Sequence, residues 1–275
     1  MSIKVFYHAN CNDGFAAAFV AWTKLKDSAE YIPVNYGDEP WQHNISTADR
    51  VYIVDFSFPR DTMIQLMKLT RVVCLDHHKT AKEALLGLNC AIFDMNKSGA
   101  MLAWEYWYPN EPAPDLIRYV QDRDLWRKEL PYTEEIHLAI SDQLLTFERW
   151  DELANMPNFV DEMRAIGLPL YLEKRSEVSK KADTANWYTI AGHLVPVVDN
   201  CVRYYSDVCH ELLVRYPQAS FSVAWRDDII NGVRRWDFRS KGSFDVSTIA
   251  KQFGGGGHLN ASGCQTPIDH FLPHD

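Results

Sequence analysis

The segment LDHHKTA, residues 75–81, places a carboxylate and two imidazoles directly after an apolar run. Asp76, His77 and His78 are costly to desolvate unless they are paired or bound to a metal ion. The apolar run before them lacks polar alternation, which is typical of a strand covered on both faces. We therefore expect these three side chains at the end of a buried strand.

Other Asp and His residues follow further apolar runs. His8 ends the run at 3–8, Asp13 comes shortly after it, and Asp55 ends a third run. Because ligand sites of open α/β sheets lie outside the carboxyl ends of the strands, these residues should share one edge with 76–78. Taken singly, Asp13 and Asp55 could equally be helix N-caps.

Imidazoles and carboxylates together suit Mn²⁺, Fe²⁺, Co²⁺ or Zn²⁺. Two such ions can hold a phosphate and activate water, and Asp55 is suited to bridging them. Asp122 and Asp124, in the segment VQDRDLW, belong to a helical region that could close over the same edge.

The elements that must position these residues alternate between strands and helices over residues 3–108, which predicts βαβ units and a mainly parallel sheet. Residues 112–184 look helical throughout. From about 187 short strands and helices return, and Asn231-Gly232 predicts a type I′ hairpin. We thus expect an α/β protein with a first domain over 1–184, including a helical linker, and a smaller α/β domain over 187–275.

Composition narrows the class of protein. The 275 residues carry a net charge of −9, which argues against binding a long duplex through a basic surface. Six scattered cysteines without a CxxC pair indicate a reducing compartment. No apolar run approaches the length of a membrane span, so we expect a cytoplasmic protein that does not bind membranes.

The run FGGGGH, residues 253–258, is a second chemical feature. Consecutive glycines let backbone N–H groups approach an anion, although such a run is also common in flexible turns. Arg239 and Ser240, at the end of the preceding hairpin, could bind a terminal phosphate. Trp126 and Trp236 could stack on a base, whereas Trp104 and Trp107 have the spacing of core residues.

Taken together, LDHHKTA, the upstream HANCNDGFAAA and YIVDFSF, and the downstream DRDLW and FGGGGHLNASGC resemble the DHH/DHHA1 phosphoesterase family over about residues 3–265. The family includes oligoribonucleases, phosphatases of 3′-phosphoadenosine 5′-phosphate, cyclic-dinucleotide phosphodiesterases and RecJ exonucleases. The resemblance implies an N-terminal DHH domain, which binds metal, and a C-terminal DHHA1 domain, which binds substrate.

The resemblance also implies a role for each matching residue. His78 would face the scissile phosphate, Asp76 would orient an imidazole, and Asp124 competes with Asp122 for one ligand position. The metal ligands would be His8, Asp13, Asp55, His77 and Asp122. The substrate's non-scissile phosphate would contact Arg239, Ser240, Gly255, Gly256, Gly257 and His258.

The chain departs from the family at Cys11, which stands where the motif D-x-D-G has its first aspartate. A thiolate there would favour Zn²⁺ or Fe²⁺ over Mn²⁺. Alternatively, Asn10 or Asn12 supplies an amide oxygen, the first site fills only with substrate, or Cys11 is a small buried residue without a ligand role.

We therefore expect a hydrolase that uses two divalent ions, Mn²⁺ favoured over Co²⁺, Fe²⁺ or Zn²⁺. It would cleave short RNA or DNA oligonucleotides or linear dinucleotides to nucleoside monophosphates. One alternative is a phosphatase acting on 3′-phosphoadenosine 5′-phosphate. Another is a catalytically weak nucleotide sensor. A homodimer is left open by the sequence.

Overall fold

Five parallel strands form the first sheet of the computed structural model, which describes residues 2–272. They are β1 (Ile3–His8), β2 (Ala29–Val34), β3 (Arg50–Val54), β4 (Arg71–Asp76) and β5 (Ala91–Phe93), in the order β2-β1-β3-β4-β5. All neighbouring pairs run parallel, which confirms the predicted sheet.

Both faces of this sheet are covered, and this explains the apolar runs. Val5 and Leu75 pack into one core, whereas Phe6 and Cys74, their neighbours in sequence, pack into the other. Successive side chains of a strand point to opposite faces, so each run must be apolar at every position. The first core includes residues of α1 (Asn12–Leu25) and α4 (Gly99–Trp107), and the second includes residues of α2 (Arg60–Leu69). A short helix, α3 (Lys79–Ala84), follows β4.

Helices occupy most of the segment that the sequence indicates as helical. They are α5 (Asp115–Asp124), α6 (Thr133–Ser141), α7 (Phe147–Ala154) and α8 (Phe159–Ala182). Among residues 2–272, none of the helices combines the length and the apolar character that a bilayer span requires.

The chain divides into two units inside α8, between Tyr171 and Leu172, whereas the predicted boundary at 184–187 lies after this helix. The physical reason is the packing of the C-terminal half of α8. Val178 and Ala182 are buried against Leu212 of the second unit, so this half belongs to that unit's core.

The second unit contains a six-stranded sheet in the order β10-β11-β9-β8-β7-β6. Its strands are β6 (Asn186–Ile190), β7 (His193–Val198), β8 (Phe221–Asp228), β9 (Val233–Ser240), β10 (Gly256–His258) and β11 (Ala261–Pro267). The β7–β8 pair is parallel and the others are antiparallel. Helices α9 (Tyr205–Arg215) and α10 (Val246–Gln252) contribute to two separate cores.

The hairpin predicted around Asn231-Gly232 is present as β8 and β9, but its turn is not the predicted two-residue type I′ turn. Asp228 pairs with Val233, so the loop has four residues, and the Asp228 carboxylate accepts hydrogen bonds from the N–H and side-chain amide of Asn231. A two-residue turn with positive φ at both positions occurs instead at Ala191-Gly192, between β6 and β7. Positive φ at both positions is the requirement of a type I′ turn.

Candidate active site

The carboxyl edge of the first sheet gathers the predicted polar residues. β1 ends at His8, β4 ends at Asp76, and Asp55 directly follows β3. The pairing of Val54 with Leu75 brings Asp55 alongside Asp76, and the Asp55 N–H donates to Leu75 O at 2.9 Å.

Asp55 has an unusual backbone conformation, with φ of 53°. Positive φ is uncommon outside glycine, although aspartate tolerates it better than most residues. A side chain at Gly99 would place Cβ 2.3 Å from Asp55 Cβ, so this glycine permits the N-terminus of α4 to approach. Strain that persists in this way is concentrated at functional sites.

Three overlapping groups at this edge could hold a metal ion, since their ligand atoms lie within 4.8 Å of one another. Asp55 belongs to two of them and directs a different oxygen to each side: Oδ2 lies 3.7 Å from His8 Nδ1, and Oδ1 lies 3.1 Å from His77 Nε2. The groups are His8, Cys11 and Asp55; Asp55, His77 and His78; and Asp13, His77 and Asp124.

Asp13 is fixed by the N-terminus of α4. Its two carboxylate oxygens accept hydrogen bonds from the N–H groups of Gly99 at 2.6 Å and Ala100 at 3.0 Å. Oδ2 also lies 3.7 Å from His77 Nε2. Each oxygen keeps a further lone pair, so the carboxylate is both oriented by the helix and available to a cation.

Asp76 is fully buried and holds the segment after β4. Its Oδ1 accepts hydrogen bonds from the backbone N–H groups of His77 and His78, and it lies 2.6 Å from His78 Nδ1. Asp76 thereby fixes the backbone of residues 77–78 and the orientation of the His78 imidazole.

Of the two aspartates considered for one ligand position, Asp124 belongs to a metal-capable group, whereas Asp122 belongs to none of those found within residues 2–272. Asp122 is 4% exposed and accepts hydrogen bonds from the N–H groups of Glu129 and Leu130 and from the Thr133 hydroxyl. Its carboxylate therefore orders the loop after α5. Asp124 Oδ2 instead lies 3.6 Å from His77 Nε2.

The electrostatics of this edge reflect crowded carboxylates. Burial lowers the pKa of His77, but the Asp55, Asp124 and Asp13 carboxylates outweigh it and raise the pKa to about 10. Burial and the carboxylates of Asp55 and Asp13 raise the pKa of the Cys11 thiol. Burial by itself raises the pKa of Asp55. Contacts with the His77 and His8 imidazoles lower this pKa by more, so the net shift is downward.

These residues fit divalent cations. Within residues 2–272, the ion-pair partners of Asp13 and Asp55 are imidazoles, although both carboxylates are about 2% exposed. Asp55 Oδ1 accepts no hydrogen bond of proper geometry from the described part of the chain, even though His77 Nε2 is 3.1 Å away. Buried negative charge without such partners is costly, and a bound cation would offset it.

In the second unit, strand pairing aligns several of the predicted substrate residues. His258 pairs with Ala261, and Ala261 pairs with Arg239, so the side chains of these residues share one face of the sheet. Gly256 and Gly263 are paired on the same face. The Arg239 guanidinium donates to Ser206 Oγ at 2.7 Å and to Phe238 O at 2.9 Å, which orients it and leaves further N–H groups.

Ser240, also predicted to contact the substrate, has a hydroxyl that is buried within the protein. It is 1% exposed, its hydroxyl donates to Phe244 O at 2.7 Å, and it accepts from Asn260 Nδ2 at 2.9 Å. These hydrogen bonds connect the end of β9 to the neighbouring turn.

The three predicted glycines have different roles in this geometry. A Cβ at Gly255 would lie 2.1 Å from Gly263 O, and Gly257 has φ of 142° with its would-be Cβ 2.6 Å from Ala261 O. Both are therefore required by strand packing. A Cβ at Gly256 would meet no protein atom within 4 Å, so this glycine faces open space.

Tyr36 also lies at this edge, although the sequence did not indicate it. It is 63% exposed, and its ring lies 5.5 Å from that of His8 and 6.4 Å from that of His78. Its position two residues after β2 ends, at the same edge as His8, was the available signal.

A cavity of about 670 Å³ opens beside the metal-capable residues. Its lining includes Asn12, Asp13, Asp124, His137 and Ser141, and Asn12 Nδ2 donates to Ser141 Oγ at 2.7 Å. This volume is in the range of small-ligand sites. The sequence did not indicate His137 or Ser141, because both come from α6, far along the chain.

Two tryptophans considered for base stacking, Trp126 and Trp236, already contact other groups of the protein. Trp126 lines the cavity, but Arg123 Cζ and Lys128 Nζ lie 3.9 Å and 3.8 Å from its ring centroid. Trp236 is 1% exposed and belongs to the core.

No protein-family model matches the chain. It is 31% identical over 280 residues to the uncharacterized protein R106 of Acanthamoeba polyphaga mimivirus, covering 94% of this chain, and it spans 66% of the length of that relative.

Two solved structures resemble this one at TM-scores above 0.5. The pGpG-specific phosphodiesterase PggH of Vibrio cholerae has a TM-score of 0.54 and 13% identity, with 98% of this chain and 94% of that chain covered. RecJ of Thermus thermophilus, in complex with Mn²⁺, has a TM-score of 0.56 and 16% identity, with 96% of this chain and 49% of that chain covered. These likenesses show that the chain has the fold of these two proteins.

Proposed function

We propose that this protein is a metal-dependent phosphodiesterase that hydrolyses short oligonucleotides or linear dinucleotides to nucleoside monophosphates. The observation that carries the proposal is Asp55, whose two oxygens lie between an imidazole from β1 and an imidazole that follows β4. The folds of a pGpG-specific phosphodiesterase and of a Mn²⁺ complex of RecJ support the same class of reaction.

The ligands fall into two sets around Asp55. His8, Cys11 and Asp55 would hold one divalent cation, and Asp13, His77 and Asp124, with Asp55, would hold the second. Bound there, such cations supply Lewis-acid activation of water and of the phosphoryl group. We favour Mn²⁺ for the second set, because its ligands are mostly carboxylates.

His78 and Asp76 act on the substrate side of this arrangement. The 2.6 Å contact between Asp76 Oδ1 and His78 Nδ1 holds the imidazole in one orientation, in which it would face the scissile phosphate. Burial lowers the pKa of His78, but the contact with Asp76 outweighs it and raises the pKa. The protonated imidazole would stabilise the negative charge that develops on the phosphoryl oxygens.

The second unit would bind the non-scissile phosphate of the substrate. Arg239, His258 and Gly256 share a face on which the intervening residue, Ala261, is small. A guanidinium and an open glycine backbone are suited to a terminal phosphate. Tyr36, beside the first set of ligands, would stack on a base.

The proposal is tested by incubating the full-length protein with Mn²⁺ and labelled di- to pentanucleotides. We expect release of nucleoside monophosphates, reduced by more than about 100-fold in Asp55→Asn, since a ligand shared by both sets is lost. Asp61→Asn, an exposed aspartate on α2, is the matched control and should retain full activity.

The same assay separates the alternatives. Release of inorganic phosphate from 3′-phosphoadenosine 5′-phosphate without cleavage of dinucleotides would identify a phosphatase. Tight nucleotide binding without turnover would identify a sensor. A lack of mononucleotide release with Mn²⁺, Co²⁺, Fe²⁺ and Zn²⁺ alike would defeat the phosphodiesterase proposal.

A further inference from the structure

Cys11 lies at the metal-capable edge rather than in a core. Its Sγ lies within 4.8 Å of ligand atoms of His8 and Asp55. It is the N-cap residue of α1, but its side chain makes no capping hydrogen bond to the helix. The five other cysteines are buried, and within residues 2–272 none of them belongs to a metal-capable group.

A second observation concerns Asp55, which belongs to the same metal-capable group as Cys11. Asp55 is 2% exposed, and its Oδ1 accepts no hydrogen bond of proper geometry from the described residues. The other oxygen, Oδ2, lies 3.7 Å from His8 Nδ1, beyond hydrogen-bond distance. The ligand atoms of His8, Cys11 and Asp55 thus lie within 4.8 Å of one another around a buried carboxylate, and a bound cation would offset the cost of burying this negative charge.

We infer that Cys11 is a metal ligand, and that the cation held by His8, Cys11 and Asp55 is a thiophilic ion such as Zn²⁺, Fe²⁺ or Co²⁺. The ligand set decides this preference. One sulfur, one nitrogen and one oxygen suit these borderline ions, and thiolates are poor ligands for Mn²⁺ and Mg²⁺.

The neighbouring set provides the contrast. Asp13, His77 and Asp124, together with the shared Asp55, offer three carboxylates and one imidazole, which suit harder ions. The two positions should therefore differ in selectivity, with a thiophilic ion at one and Mn²⁺ accepted at the other. This inference rests on the metal positions of the proposed function, but its test reads bound cobalt and not turnover.

The test is the absorption spectrum of the chelator-treated, full-length protein titrated with Co²⁺. We expect a near-ultraviolet charge-transfer band from thiolate to cobalt, lost in Cys11→Ser and Cys11→Asp. Serine and aspartate are favourable N-cap residues, so both variants should keep α1 folded. Cys90→Ser, at a buried cysteine away from this edge, is the matched control and should retain the band.

Metal affinity provides the second measurement. Loss of an outer partner of a metal ligand typically costs about 10- to 100-fold in affinity, so loss of a direct ligand should weaken Zn²⁺ binding by at least that factor. We expect this in Cys11→Asp, together with a gain in Mn²⁺ affinity, both by titration calorimetry.

Two results would overturn the inference. One is cobalt bound by the wild-type protein, shown by its visible bands, without the charge-transfer band. The other is a band that persists in Cys11→Ser. Neither depends on catalysis: an inactive protein that shows the Cys11-dependent band would refute the proposed function and leave this inference standing.

Discussion

At the scale of single residues, the carboxylates of Asp122 and Asp124 have different surroundings although they are two positions apart. Asp122 is buried and accepts three hydrogen bonds from the loop after α5, whereas Asp124 faces His77. A buried group that satisfies several donors contributes to stability, and a carboxylate beside an imidazole at an open edge is suited to binding a cation.

We therefore predict that substitutions of these two aspartates change different properties of the protein. Asp122→Asn should lower the free energy of unfolding by about 1–3 kcal/mol, because an amide nitrogen would replace an oxygen among N–H and O–H donors. Asp124→Asn should keep the stability and weaken metal binding. Urea unfolding and calorimetric titration with Mn²⁺ measure the two properties, and the reverse pattern would restore Asp122 as the ligand.

Tyr36 supports a further prediction at this scale. The ring is largely exposed, so Tyr36→Ala should change the melting temperature little. If the ring stacks on a base, the substitution removes about 1–3 kcal/mol of binding free energy and raises KM for dinucleotides. The control substitution is Tyr132→Ala, at an exposed tyrosine that is the N-cap residue of α6. An equal rise in KM in this variant would argue against stacking at Tyr36.

At the scale of elements, β10 shows why a glycine run need not be a loop. Gly256–His258 forms an edge strand paired with β11, and the glycines permit close approach at some positions and leave open space at another. Of the glycines in this run, Gly256 is therefore the one that we expect to contact a substrate phosphate.

This distinction predicts separate outcomes for neighbouring glycines. Gly256→Ala should keep the melting temperature and raise KM, because the added methyl group blocks one approach to an anion, and a hydrogen bond to a charged group contributes about 1.5–3 kcal/mol. Gly257→Ala should instead lower the melting temperature, since it has positive φ and a close backbone neighbour. An unchanged KM in Gly256→Ala would show that this glycine does not contact the substrate.

At the scale of the whole molecule, the six cysteines share one property. In both units, burial is the largest cause that raises the pKa of the thiols. The pKa rises from 9.0 to about 11 for Cys201 and to about 12 for Cys209 and Cys264. It is also raised for Cys74 and Cys90. The folded protein therefore keeps these thiols protonated at a pH where the unfolded chain releases the protons.

Stability should consequently fall in alkaline solution. A raised folded-state pKa means that the stabilising contribution is present below about pH 9 and is lost as the pH rises towards about 11 to 12. We expect the free energy of unfolding, measured with urea, to decrease between about pH 8 and about pH 10. Cys264→Ala should show a shallower decrease, and an identical slope would contradict this origin.

The sequence alone determined the architecture and the edge that carries the site. Apolar runs without alternation indicate a two-sided parallel sheet, and polar residues directly after β1, β3 and β4 must then lie at one edge, because parallel strands end together. His8, Asp55 and His77 follow from this local pattern.

The tertiary structure decided what depends on the direction in which a side chain points. Residues two apart on a helix point about 200° apart, so only the docking of α5 selects Asp124 over Asp122. Likewise, only the packing around β9 shows that the Ser240 hydroxyl is buried, and only the association of α6 with the sheet edge brings Ser141 to Asn12. Local periodicity contains no information about such long-range contacts.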